Sequence, residues 1–278
     1  MSYKTILVHV DESSRAQERI EIAAAIAMAE GAHLIGTAVT GASRYLIREQ
    51  ALEANTNLGR HLDALRARAE RGLAEFDACV RKLALPSFEK RLVDDEAGAG
   101  LCMQARYADL VVIGQVDRNE AAPVVMQDFP QYVVLNGGRP VLLVPCAGRF
   151  ANIGNRILIG WDGSLPAIRA VSGALPLLRC AQSVTALTIA EAERTREREA
   201  PPPQELEAYL GRHGIEVQMQ QHGQTSDVGA ALLEHARALE CDLLVLGGYG
   251  HSRFREILLG GVTRRVLEAM PVPVLMAH

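Results

Sequence analysis

The strongest chemical signal in the sequence is a glycine-rich run together with one aspartate, Asp162. The run reads Gly247-Gly248-Tyr249-Gly250-His251-Ser252-Arg253, and nine residues separate Gly250 from Gly260-Gly261-Val262-Thr263. Glycines let backbone N–H groups approach an anion, and a helix N-terminus adds positive partial charge. Such a turn, placed after a strand and before a helix, suits a phosphate. A plain strand-to-helix reversal would also use Gly247 and Gly250. It would not need the second pair, Gly260 and Gly261, inside an otherwise helical pattern. Arg253 is either a counter-charge for a phosphate or a solvated surface arginine. His251 would need an acceptor and an orienting partner to act as a base, and the sequence offers neither.

Other chemistries find less support. No Ser-His-Asp order, paired carboxylates or metal-ligand cluster stands out, so no catalytic or metal residue is assigned. A Gly-x-x-x-x-Gly-Lys-Ser/Thr loop is missing, and with it the usual lysine and magnesium-binding hydroxyl. Neither half has a Ser-Gly-Gly-x-Asp-Ser loop after its first strand. The cysteines at 79, 102, 146, 180 and 241 are odd in number and form no Cys-x-x-Cys pair. They read as small buried hydrophobes in a reducing cytoplasm, not as disulfides or a zinc site. With 29 Lys and Arg against 33 Asp and Glu, the net charge is −4. No global basic field attracts nucleic acid or an anionic membrane. The apolar runs are too short to span a bilayer, and Met1 to Val8 lacks the pattern of a signal peptide.

The elements that must position these residues occur twice. Ile6-Leu-Val-His-Val-Asp-Glu-Ser13 parallels Ile157-Leu-Ile-Gly-Trp-Asp-Gly-Ser164, which pairs Asp11 with Asp162. Asp109-Leu-Val-Val-Ile-Gly114 parallels Asp242-Leu-Leu-Val-Leu-Gly247, and Arg139-Pro-Val-Leu-Leu-Val144 parallels Val272-Pro-Val-Leu-Met-Ala277. Gly114 to Pro140 and Gly247 to Pro273 both span 26 positions, so the ends of the halves align without gaps. The first half carries about 18 more residues between its matched aspartates, assigned to 41–85.

Short apolar runs rich in Val, Ile and Leu predict parallel strands near 4–10, 33–40, 87–93, 109–114 and 140–144. In the second half they fall near 156–161, 183–189, 215–220, 242–247 and 272–276. Helices are expected over 14–30 with Gly31 as its cap, 48–84, 165–180, 204–213, 226–239 and 254–269. Residues 191–203, charged and ending in three prolines, read as an exposed loop. The pattern predicts an α/β fold: two doubly wound domains, 1–147 and 153–278, each a five-stranded parallel sheet of order 3-2-1-4-5 with helices on both faces. Ligands of such sheets bind beyond the carboxyl ends of the strands, where strand order reverses. That point brings Asp162, after the first strand of the second half, to the glycine run after the fourth.

Here the sequence resembles the universal stress protein family. The matching residues are Gly247, Gly250, Gly260 and Gly261, the aspartates Asp162 and Asp11, and the terminal Pro-Val-Leu strands. The resemblance covers nearly the whole chain as a tandem of two family domains. One position departs: the family's Ser or Thr stands here as Gly261, with Ser252 and Thr263 as candidates to supply the hydroxyl. The resemblance implies an ATP or AMP site, with or without magnesium. In it Asp162 meets the nucleoside, the backbone at Thr188 and Ile189 meets the adenine edge, and Gly247, Gly250, Gly260 and Gly261 wrap the phosphates.

The first half breaks the motif. Asp117 stands where Gly250 would, Gln127 for Gly260, Asp128 for Gly261 and Pro130 for Thr263. A carboxylate near a polyphosphate repels it by ~1–4 kcal/mol per charge pair at ~4 Å. No phosphate is therefore expected there, and Asp11 or Ser13 is expected to cap the first helix. The function expected from the sequence is a cytoplasmic nucleotide-binding stress-response module. The alternatives are a weak ATPase or other nucleotide-using enzyme, and a chaperone-like scaffold without nucleotide. Expected partners are an adenine nucleotide and unidentified proteins. The matched last strands suggest a pseudo-dimer within the chain, or a homodimer.

Overall fold

The computed structural model describes residues 2–53, 56–117, 125–191, 203–249 and 261–278. The chain divides into two compact units, residues 2–141 and 142–278. Both follow the strand and helix alternation that the sequence predicts.

In the first unit β1 (Thr5–Val10) is followed by α1 (Ala16–Glu30), β2 (His33–Val39), α2 (Arg44–Glu53) and α3 (Thr56–Lys82). Then come β3 (Phe88–Val93), α4 (Ala97–Ala105), β4 (Leu110–Gly114) and α5 (Phe129–Asn136), and the chain enters β5 (Val141–Val144). Within this unit the strand order is β3-β2-β1-β4, with β1 parallel to both β2 and β4. Helix α1 ends at Gly31, whose φ of +60° is the left-handed conformation that glycine adopts freely.

Helices cover both faces of this sheet, and β2 shows why. An added Cβ at Gly36 would lie 2.6 Å from the Phe76 ring of α3, so this glycine lets the helix sit close. Three residues on, Val39 meets Gly100 of α4. Side chains alternate along a strand, so residues 36 and 39 face opposite ways. Helix α3 buries Ala69, Leu73, Phe76 and Val80 and turns its charged residues outward. Its solvated face carries Arg66–Glu70 and Arg81–Asp77 pairs at i, i+4, and Arg68 and Arg71 reach Glu12. The extra length of the first half resolves into the separate α2 and a longer α3, where the sequence reading had one helical stretch.

The second unit runs β6 (Arg156–Gly160), α6 (Leu165–Cys180), β7 (Ser183–Glu191), α7 (Pro203–Arg212), β8 (Gln218–Thr225), α8 (Val228–Ala238), β9 (Leu243–Gly247), α9 (Gly261–Ala269) and β10 (Val274–Ala277). Its order is β8-β7-β6-β9-β10, the expected 3-2-1-4-5. The one displaced strand is β8, which starts three residues later than expected. Gly214, at φ +76°, and the Ile215 N–H donating to Leu210 O spend 213–215 on ending α7. The strand itself, Gln-Met-Gln-Gln-His-Gly-Gln-Thr, is polar because it pairs on one side only within this unit, with β7.

The cysteines are all free thiols. Cys102 and Cys241 are buried as expected, but Cys180 at the end of α6 is exposed, which corrects its reading as a core residue. Among the described residues no helix is long and apolar enough to cross a membrane. Most of the 191–203 stretch lies outside the described residues.

Candidate functional site

In the second unit the carboxyl ends of β6, β7 and β9 come together. Trp161 N–H donates to Leu187 O at 2.9 Å, and Gly160 pairs with Leu187, so Asp162 lies one strand away from Thr188 and Ile189. Asp162 is partly buried and accepts from the Ser164 N–H at 2.9 Å. Ser164 in turn caps α6, its Oγ accepting from the Ala167 N–H. Gly163, at φ +71°, makes the tight turn between them.

Gly247 closes the other side. A Cβ there would lie 2.5 Å from Ala167 N and 2.8 Å from the Pro166 carbonyl carbon. Only glycine lets the end of β9 lie against the first turn of α6, so one position fixes both loops. Gly248 N–H donates to Ala277 O, and His278 Nδ1 pairs with Gly248 O at 3.0 Å. Tyr249 has φ +61°, unusual for a residue with a side chain. Its N–H donates to the Thr263 Oγ1 at 3.2 Å. Thr263 is buried, so its hydroxyl braces the start of α9 against the turn after β9. Gly261 opens α9 and is exposed, with nothing among the described residues within 4 Å of an added Cβ. Gly250, His251, Ser252, Arg253 and Gly260 lie outside the described residues.

Among the described residues three buried polar atoms on these strand ends have no hydrogen-bond partner: Trp161 Nε1, Thr188 Oγ1 and Tyr249 OH. An unpaired buried polar atom costs about 1–3 kcal/mol. Burial also pushes the Tyr249 phenol above its ordinary pKa.

The same crevice in the first unit is built differently. Asp11 Oδ1 accepts from Arg19 Nη2 at 2.7 Å, from Ser13 N–H at 3.0 Å and from Ser13 Oγ at 2.5 Å. Arg19 Nε donates to His9 O at 2.8 Å, and His9 Nδ1 lies 3.5 Å from Asp11 Oδ2. The His9 ring packs on Phe129 at 4.9 Å. All three polar side chains are buried: His9 is 1% exposed, Arg19 3% and Asp11 7%. Among the described residues the space left beside them is about 30 Å³, room for water. Burial alone would raise the Asp11 carboxyl, but Arg19, His9 and Ser13 outweigh it and hold the group well below the usual carboxylate range. Burial pushes the His9 imidazole down to about 4, with Asp11 opposing.

This corrects the expectation that Asp11 or Ser13 caps α1. The cap position is Arg15, without a side-chain cap bond. Asp11 is the buried counter-ion of Arg19, and Arg19 was missed by the sequence reading. A signal was there: Arg19 stands beside Ile20 and one turn before Ala23 on the apolar face of α1, where a charge needs a buried partner. Gly114, at the end of β4, makes room for it, since a Cβ there would lie 2.5 Å from Arg19 Nη1.

The sequence pattern of the Universal stress protein family matches residues 2–145 and again 154–278. A universal stress protein of Mycobacterium tuberculosis (strain ATCC 25618 / H37Rv) is 38% identical over 77 residues, 27% of this chain and 26% of that relative. The chain thus aligns with about a quarter of the curated relative's length. The crystal structure of a universal stress protein from Archaeoglobus fulgidus DSM 4304 covers 98% of this chain, and this chain 97% of it, with a TM-score of 0.72 at 16% identity. That likeness shows the fold. A universal stress protein solved in complex with cAMP covers 51% of this chain, which covers 97% of it, at 22% identity and a TM-score of 0.36. That likeness is too distant to carry its ligand over. With both halves matched over almost their full length, the chain belongs to the universal stress protein family, as a tandem of two of its domains.

Proposed function

We propose that this chain is a stress-response binding module that holds one adenine nucleotide, ATP or AMP, in its second unit and none in its first. The observation that carries the reading is the contrast between the two crevices. The first is filled by Arg19, which satisfies Asp11 internally. The second has Ala170 at the position matching Arg19 and Gly160 at that of His9. It also retains Asp162, the glycine-bearing turn and three buried polar atoms on the strand ends that have no partner among the described residues. Asp162 meets the nucleoside, the strand end at Thr188 and Ile189 meets the base, and Gly247, Gly250, Gly260 and Gly261 line the phosphates. Ser252 and Arg253 are the side chains of the same loop assigned to the phosphates, with or without magnesium. Thr263 acts from behind, by holding Tyr249.

Calorimetry with ATP, AMP and adenosine on ligand-stripped protein tests this. One site per chain is expected, with Asp162→Ala weakening ATP and adenosine alike by about tenfold, the worth of one hydrogen bond to a charged group. Gly250→Asp should weaken ATP and spare adenosine, since it adds a charge at the phosphate end only. Two sites per chain, or no binding by the unaltered protein, would overturn the reading.

A further inference from the structure

We infer that His222 and His235 form a two-imidazole site for a divalent first-row transition-metal ion, remote in sequence from the glycine motif. His222 lies on β8, registered against Ile189 of β7, and His235 lies on the last turn of α8. His235 Nε2 and His222 Nδ1 face each other at 3.0 Å, with the rings nearly perpendicular at 82°. Both residues are partly buried, and the nitrogens are held by strand and helix.

Two facing imidazole nitrogens have two uses. With a proton between them they make a hydrogen bond. Without it, both lone pairs are available to one ion. A metal bound at ~2.0–2.1 Å from each nitrogen would subtend about 95° across a gap of this size, an ordinary angle between neighbouring ligands of a six-coordinate ion. The separation of the pair therefore suits two neighbouring ligands of one ion, reached by turning the imidazole rings.

The proton balance is simple. In the neutral pair one inner nitrogen carries hydrogen and the other does not. On metal binding that hydrogen moves to the outer nitrogen of its own ring, and the ion accepts both inner lone pairs. No net proton is released. Neither outer nitrogen makes a further hydrogen bond among the described residues, so no fixed partner opposes the change of tautomer. Imidazole nitrogens select Zn²⁺, Ni²⁺ and Cu²⁺ over Mg²⁺ and Ca²⁺. Among the described residues no third His, Cys, Asp or Glu joins the pair. Water fills the remaining positions, and the site is weaker than a closed four-ligand centre.

The test is calorimetry of the full chain with Ni²⁺ and with Zn²⁺, in a Cys180→Ser background because that exposed thiol would compete. One ion per chain is expected, with a rise in thermal midpoint on saturation. His222→Ala and His235→Ala should each cut the affinity at least about tenfold, since losing a ligand costs no less than losing its outer partner. His213→Ala, an imidazole beside Arg179 on the α7 side, should leave it unchanged. His222→Gln and His235→Gln keep a hydrogen-bonding side chain and serve if an alanine variant does not fold. No bound ion, or equal affinity in the His222 and His235 variants, would overturn the site.

Discussion

The two crevices of this chain begin from the same residue and end as opposites. Each places an aspartate just after its first strand, with a serine two residues on donating its N–H back to it. In the first unit Arg19 comes up one turn into α1 and takes the carboxylate at 2.7 Å, with His9 and Phe129 filling the rest. In the second unit the matching positions are Ala170, Gly160 and Val262, and the strand ends carry buried polar atoms with no partner. A buried carboxylate needs a counter-charge or donors. The first unit supplies them from its own chain, which consumes the space a ligand would need. The two glycines that end the fourth strands show the same division. Gly114 makes room for a guanidinium, and Gly247 makes room for the backbone of α6.

The harshest way to break this comparison is Arg19→Leu. It leaves Asp11 buried and unpaired, and removing one partner of such a pair costs about 3–5 kcal/mol. Hydrogen exchange of β1 and β4 amides should show the loss in the first unit, with β6 and β9 unaffected. The double change Arg19→Leu with Asp11→Leu should recover most of it. If the single change is tolerated, the pair is not what holds the first crevice closed.

His9 gives a pH test of nearly the same size. Its native pKa near 4 lies below the ordinary 6.5, so between these values the unfolded chain holds the extra proton. Stability from this group is complete above pH 6.5 and falls as pH drops toward 4, by roughly 3 kcal/mol. His9→Phe should flatten that slope in the first unit. The second unit, with Gly160 at this place, should never show it. Asp11 adds nothing to this window, because its carboxyl titrates lower.

The smallest expected effect is Gly261→Ser, which restores the hydroxyl that the family pattern has at this position. Among the described residues nothing crowds an added Cβ, and the residue is at the exposed start of α9. Stability should change by less than about 0.5 kcal/mol, while ATP affinity rises. A drop in affinity would place the phosphates elsewhere.

Much of the fold was legible because its central strands are buried on both faces. β1, β4, β6 and β9 are continuous apolar runs, and their duplication aligned the halves without gaps. β8 was legible only roughly, since a polar strand lacking a second neighbour in its unit escapes an apolar-run criterion. The break between α2 and α3 was hidden inside one long amphipathic stretch. Asp162 and Gly247, which the structure brings to neighbouring strand ends, could be named from the repeat; Arg19 left a signal on the apolar face of α1, but its pairing across a turn and a strand end is a three-dimensional fact.

The sequence by itself determined the two-unit α/β plan and the unequal glycine motifs, because these follow from periodicity, duplication and the conformational freedom of glycine. Only the tertiary structure decided how each aspartate is satisfied. Burial raises the cost of a lone charge until its neighbours are chosen for it, and those neighbours come from a helix face, a strand end and a ring that sequence distance does not connect.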